Sequence, residues 1–159
     1  MNDDVYGIKK WGNDILEILE NGNIGLKNPF HPDNSPADLI KIIKSLNERG
    51  ISCPVLLRVT DYLAFRIKQI NNSFFRAIRE IKYKGEYKGV FPVKVNQQAQ
   101  VIDRIVEFGK EFDFGLEVGS KPELLIALAH DLSANSTIIC NGIKAVSYTH
   151  LTLPTKEEV

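Results

Sequence analysis

The chain has 159 residues, a length that predicts one domain with room for a hydrophobic core. Its 20 Lys and Arg are matched by 20 Asp and Glu, which argues against a dedicated nucleic-acid or acidic-membrane binder, since those carry a basic excess. No stretch is long and apolar enough to span a bilayer, and the acidic start Met1-Asn2-Asp3-Asp4 is unlike a secretion signal, so a cytoplasmic protein is expected.

Residues 1–34 are rich in Gly, Asn, Asp and Pro, with one short apolar run at Ile15, Leu16, Ile18 and Leu19. They predict an irregular arm lying on the main domain or on a partner subunit. Ser35 then suits a helix N-cap, Pro36 the first helical position and Asp38 a capping-box acid. Leu39, Ile40, Ile42, Ile43 and Leu46 follow at helical spacing, and Gly50 is a stop signal. Pro54 to Val59 predicts a short buried strand. Thr60 caps the next helix, whose apolar positions Leu63, Ile67, Ile70, Phe74, Ile78 and Ile81 step by three or four, with Asn71-Asn72 as a weak point.

From there strand and helix alternate. A strand is predicted over Gly89 to Asn96, a helix over Gln98 to Phe108 ending at Gly109, and a strand over Phe114 to Val118. Ser120 and Glu123 form a capping-box pair opening a further helix, and a last strand runs from Ser136 to Cys140. No hairpin signal interrupts the series, so it predicts parallel β/α units whose crossover helices cover the sheet.

In such architectures the functional groups gather at the C-terminal ends of the strands. This selects Lys94 and Asn96, then Glu117, Gly119 and Ser120, then Asn141. Alternation places Lys94 on the face opposite Phe91, Val93 and Val95. Inside a barrel an amine there is partly desolvated, which favours its neutral, nucleophilic form, the property a Schiff-base lysine requires. On periodicity alone a lysine marking the strand's exit from the core is the commoner occurrence. The same holds for Glu117, which could hydrogen-bond the lysine or a cofactor edge or be a solvated strand-end acid. Gly119-Ser120 suits a phosphate turn less well than a helix cap.

Other groups suggest less. Tyr83 and Tyr87 interleave with Lys82, Lys84 and Lys88, but two nearby glutamates favour a solvated helix end over a nucleic-acid patch. His31 fits an ordinary loop. Cys53 and Cys140 lack neighbours at zinc-ligand spacing, so no metal site is predicted. There is no glycine-rich nucleotide motif.

Several blocks are specific when taken together. Pro54-Val55-Leu56-Leu57-Arg58, then Tyr87-Lys88-Gly89-Val90-Phe91-Pro92-Val93-Lys94-Val95-Asn96-Gln97-Gln98, then Gly115-Leu116-Glu117-Val118-Gly119-Ser120-Lys121-Pro122-Glu123-Leu124-Leu125, and Ile139-Cys140-Asn141-Gly142 occur in order. They resemble the N-terminal part of biosynthetic arginine decarboxylases, the likeness running from about Tyr6 to Lys144. The resemblance implies an α/β fold, part of a pyridoxal 5'-phosphate-binding (β/α)8 barrel of the alanine racemase-like type, with about four strands in residues 35–144. It implies that Lys94 holds the cofactor and that Glu117 is the acidic residue beside it. It further implies decarboxylation of L-arginine to agmatine on the way to putrescine and spermidine, use of magnesium (Mg2+), and homo-oligomers in the full-length protein.

Residues 145–159 change character. Ala145-Val146-Ser147-Tyr148-Thr149-His150-Leu151-Thr152-Leu153-Pro154-Thr155 has no helical face and resembles translated sequencing-adapter read-through, so this tail is expected to be non-native and His150 is assigned to no site. Ala145 also stands where the family usually has an acid. The competing readings are a same-fold decarboxylase of diaminopimelate, ornithine or carboxynorspermidine, a non-catalytic pyridoxal-phosphate barrel, and an interaction module without cofactor.

Overall fold

The structure, a computed structural model, describes residues 5–142; the expected foreign tail and His150 lie outside the described residues. The chain divides into two compact units, Met1–Phe65 and Arg66–Val159.

The N-terminal unit differs from the irregular arm that its composition predicts. A short helix, α1 (Ile8–Trp11), precedes strands β1 (Leu16–Ile18), β2 (Ile24–Leu26) and β3 (Ala37–Asp38), which form an antiparallel sheet in the order β1-β2-β3. The β1–β2 connection is a hairpin: Asn21-Gly22 sits at its turn, Gly22 has φ 82°, and the backbone N–H of Leu19 donates to the Asn23 carbonyl at 2.8 Å. Asn-Gly is a strong hairpin signal, masked here because strands of three residues are too short to display alternation.

The helix α2 (Leu39–Glu48) starts three residues later than Ser35-Pro36 predicts. Residues 37–38 pair with β2 instead, so Asp38 itself becomes the N-cap. Its Oδ1 accepts from the backbone N–H groups of Ile40 at 2.9 Å and Lys41 at 3.2 Å. The amides of Asn21 and Asn23 also donate to this carboxylate. Asn23 is the chief reason the Asp38 carboxyl is held at about 2 rather than 3.8, outweighing the partial burial that pushes it up, with Asn21, Lys41 and Ile40 adding to the drop. The helix ends as predicted. Gly50, at φ 80°, donates its N–H to the Asn47 carbonyl while Ile51 donates to that of Leu46, a Schellman closure.

Residues 54–59 form no strand among the described residues, and Leu56 is largely exposed. An apolar run meets the composition of a buried strand, but a strand exists only through its ladder. The next helix, α3 (Thr60–Glu80), includes Thr60 as its first residue, one position ahead of the start that a Thr60 cap predicts, and runs unbroken. The pair expected to weaken it does not, because Asn71 is buried and its Nδ2 donates to the Ile67 carbonyl one turn back at 2.8 Å.

The remainder of the C-terminal unit is the predicted β/α series. Strand β4 (Val90–Pro92) is followed by a 3₁₀ turn at Val93–Val95, helix α4 (Ala99–Gly109), strand β5 (Gly115–Val118), helix α5 (Lys121–Leu128) and strand β6 (Ile138–Cys140). The three strands are parallel in the order β4-β5-β6. Thus three of the expected four barrel strands form. The core joins Val93, Leu116 and Val118 to Ile102 and Val106 of α4 and Leu124 and Ala127 of α5. Both helices therefore bury one face of the sheet. The register sets Pro92, Glu117 and Ile139 side by side on the other face.

Candidate active site

The C-terminal end of that face, opposite the one that α4 and α5 bury, carries the candidate groups. Lys94 lies just past β4, in the 3₁₀ turn and not within a strand reaching Asn96 as predicted. The face assignment nonetheless holds for its neighbour, since Val93 is fully buried in the core. Val95 departs from the alternation and is exposed, because the 3₁₀ turn rotates it out of the pleat. The Lys94 side chain is 61% exposed. The expected partial desolvation is therefore not supplied by the described residues of this unit.

Glu117, on β5, keeps a side chain 23% exposed, and its Oε1 lies 3.7 Å from Lys94 Nζ. That is an ion-pair separation, longer than a charge-assisted hydrogen bond. The sequence-derived lysine and acid are thus brought together across adjacent strand ends. A third group joins them. Asn141 follows β6, and its Nδ2 donates to the same Oε1 of Glu117. Asn141 stands among the strand-end residues in the sequence, but its partnership with Glu117 depends on the β5–β6 register, which no local pattern encodes. Asn96 goes elsewhere: its side-chain oxygen accepts from the backbone N–H of Gln98 at 3.0 Å, at the entry to α4.

The Gly119-Ser120 turn is a helix cap. Ser120 Oγ accepts from the backbone N–H of Glu123 at 3.4 Å and donates to Glu123 Oε1 at 2.9 Å, while Glu123 Oε2 accepts from the N–H of Gly119 at 2.8 Å. The carboxylate of Glu123 so fills the position that an anion would take at the start of α5. Tyr87, a candidate stacking platform, lies against Phe74 with ring centroids 3.9 Å apart and 5° between planes, and burial pushes its phenol up from the ordinary value. Lys88 pairs with Glu86 and Asp113. Cys53 is exposed and Cys140 half-buried, both as free thiols. No helix among the described residues is long and apolar enough to cross a membrane.

A primary amine with a carboxylate 3.7 Å away, at the C-terminal ends of parallel strands, is a donor set suited to an aldehyde cofactor. Residues 67–156 match the family described as pyridoxal-dependent decarboxylase, pyridoxal binding domain. The chain belongs to the pyridoxal-dependent decarboxylase family. This pyridoxal-binding domain is 47% identical over 146 residues to the biosynthetic arginine decarboxylase of Prochlorococcus marinus (strain MIT 9312), covering 92% of this chain and 22% of that protein. It is 45% identical over 150 residues to the enzyme of the same name from Gloeobacter violaceus, covering 94% and 23% respectively. The crystal structure of the biosynthetic arginine decarboxylase from Campylobacter jejuni superposes with a TM-score of 0.82 at 34% identity, over 95% of this chain and 24% of that one. The chain therefore spans between a fifth and a quarter of the length of these relatives.

The decarboxylase domain's residues fit the aldehyde end of pyridoxal phosphate through Lys94, Glu117 and Asn141. At the start of α5 the capping box already holds two donors, the N–H of Glu123 through Ser120 Oγ and the N–H of Gly119, just ahead of the helix, through the Glu123 carboxylate, which leaves the cofactor's phosphate end poorly served there. The magnesium implied by the resemblance does not fit: among the described residues no three His, Cys, Asp or Glu side chains gather to hold a metal ion.

Proposed function

We propose that this chain is the N-terminal part of a biosynthetic arginine decarboxylase, which removes CO2 from L-arginine to give agmatine and so feeds putrescine and spermidine synthesis. The reading further takes the full-length protein as a cytoplasmic homo-oligomer. The observation that carries it is the Lys94–Glu117 pair at the ends of β4 and β5, in a chain 45–47% identical to proteins named for this reaction.

Lys94 is the group that bonds the cofactor, since an amine at a strand end is both reachable and anchored by the buried Val93 beside it. Glu117 faces the amine nitrogen, where its Oε1 can hold or return a proton as the nitrogen changes partners. Asn141 keeps that oxygen in place by donating to it. When bound, the cofactor supplies the electron sink that takes up the pair left on the substrate α-carbon as CO2 departs. The resemblance implies further barrel strands and a following β-rich domain in the full-length protein, and groups for the substrate guanidinium, the cofactor phosphate and water exclusion are assigned to them; a complete barrel of this type takes about 250 residues.

The test begins with the uninterrupted genomic reading frame beyond Lys144, which should continue into further β/α units. The full-length product is then assayed for CO2 release from L-arginine, ornithine, diaminopimelate and carboxynorspermidine. Arginine is expected to be preferred at least about tenfold in kcat/KM. Faster turnover of another substrate, or a native frame that stops near residue 159, contradicts the proposal.

A further inference from the structure

We infer that Asn141 is a positioning residue that holds the Glu117 carboxylate off the Lys94 amine, an inference that rests on reading Lys94 and Glu117 as the reactive pair. Its backbone is pinned first: the N–H of Asn141 donates to the Val118 carbonyl at 2.9 Å, extending the β5–β6 ladder by one step. That anchor sets the asparagine just beyond the end of β5, across from Gly119 and two residues past Glu117 in register. From there Nδ2 donates to Glu117 Oε1.

The space for this amide is made by Gly119. A Cβ at that position would lie 2.8 Å from Asn141 Oδ1 and 3.6 Å from Glu123 Oε2. Its φ is unremarkable, so the glycine is required here for room, not for torsion. Any larger residue would push the asparagine away from the acid.

The polarity of the contact is fixed, because an amide N–H only donates and an ionised carboxylate only accepts. Oε1 is therefore committed to Asn141 on one side and stands 3.7 Å from Lys94 Nζ on the other. Released from the amide, a partly buried glutamate beside an ammonium with three donors would close to about 2.8 Å. A closed pair favours the protonated amine, which is no nucleophile. The spaced pair holds the ammonium less tightly than a closed one and keeps the nitrogen reachable.

The full-length enzyme, stripped of cofactor, tests this by the rate at which pyridoxal phosphate and borohydride label Lys94, counted by peptide mass spectrometry. Asn141→Ala is expected to slow labelling about fivefold at neutral pH. The loss should shrink as the pH is raised, because alkali takes the proton from any amine without help. In a Glu117→Gln background Asn141→Ala should change nothing further, since Asn141 acts only through that acid. Gly119→Ala displaces the amide by a different route and should reproduce the effect, which keeps the measurement decisive if Asn141→Ala misfolds. An undiminished rate at neutral pH, or a loss that persists in the Glu117→Gln background, overturns the Asn141 assignment alone. A wild-type protein whose Lys94 takes no label overturns the reactive pair and the inference with it.

Discussion

In the C-terminal unit Val93, Ile102, Leu116 and Val118 are closed off from water and touch one another. In the N-terminal unit the most enclosed groups include a carboxylate, Asp38, tied to the amides of Asn21 and Asn23. The helices show the same contrast. Both α2 and α4 carry apolar residues at helical spacing, yet α4 buries Ile102, Ile105 and Val106 while α2 buries none among the described residues. An apolar stripe is a demand for a partner surface. The sheet meets that demand for α4, and polar bonding around one capping acid organises the N-terminal unit in its place.

The contrast can be broken or sharpened by experiment. The largest expected effect concerns the chain as a whole: with β4 and β6 as open edges and Val95, Leu128 and Ile139 exposed, the 159-residue chain should self-associate and release no CO2 from arginine. Light scattering across a dilution series and a direct assay check this; a cooperative, soluble monomer would count against it.

Next, Leu116→Ala should cost about 2–5 kcal/mol, because it empties a fully buried site between sheet and helices. Ile40→Ala on the exposed side of α2 should cost less than about 1 kcal/mol. Urea unfolding at high dilution compares them; equal losses would erase the distinction between the units. Ser120→Ala removes a cap whose loss typically costs about 1 kcal/mol, and the same titration reads it.

The smallest effect is a pH dependence confined to the N-terminal unit. The Asp38 carboxyl is depressed in the folded chain, so its contribution is fully present above 3.8 and is lost as pH falls towards about 2. Trp11, the one tryptophan, reports on this unit. Its fluorescence should change over that window, and Asp38→Asn should flatten the change.

Most of the C-terminal unit is legible in the sequence, because α3 and α4 carry apolar residues at helical spacing and the short strands fall in the gaps between helices. The Ser120–Glu123 cap and the Gly50 stop are local chemistry and appear where their residues predict. What escapes is set by partners distant in sequence. Pro54 to Val59 has the composition of a strand and forms no ladder. Ala37-Asp38 pairs with β2 and shifts the start of α2 past Ser35. At the candidate site, β-alternation anticipates the buried Val93 but not the 3₁₀ turn that carries Lys94, and the Glu117–Asn141 bond follows from strand register alone.

The assignment of Lys94 as the cofactor-bonding amine is tested most directly by reducing the cofactor-loaded full-length protein with borohydride and mapping the modified peptide. The pyridoxyl mass should fall on the peptide containing Lys94 and vanish in Lys94→Ala together with CO2 release. A label on any other lysine, or decarboxylation surviving in that variant, contradicts it.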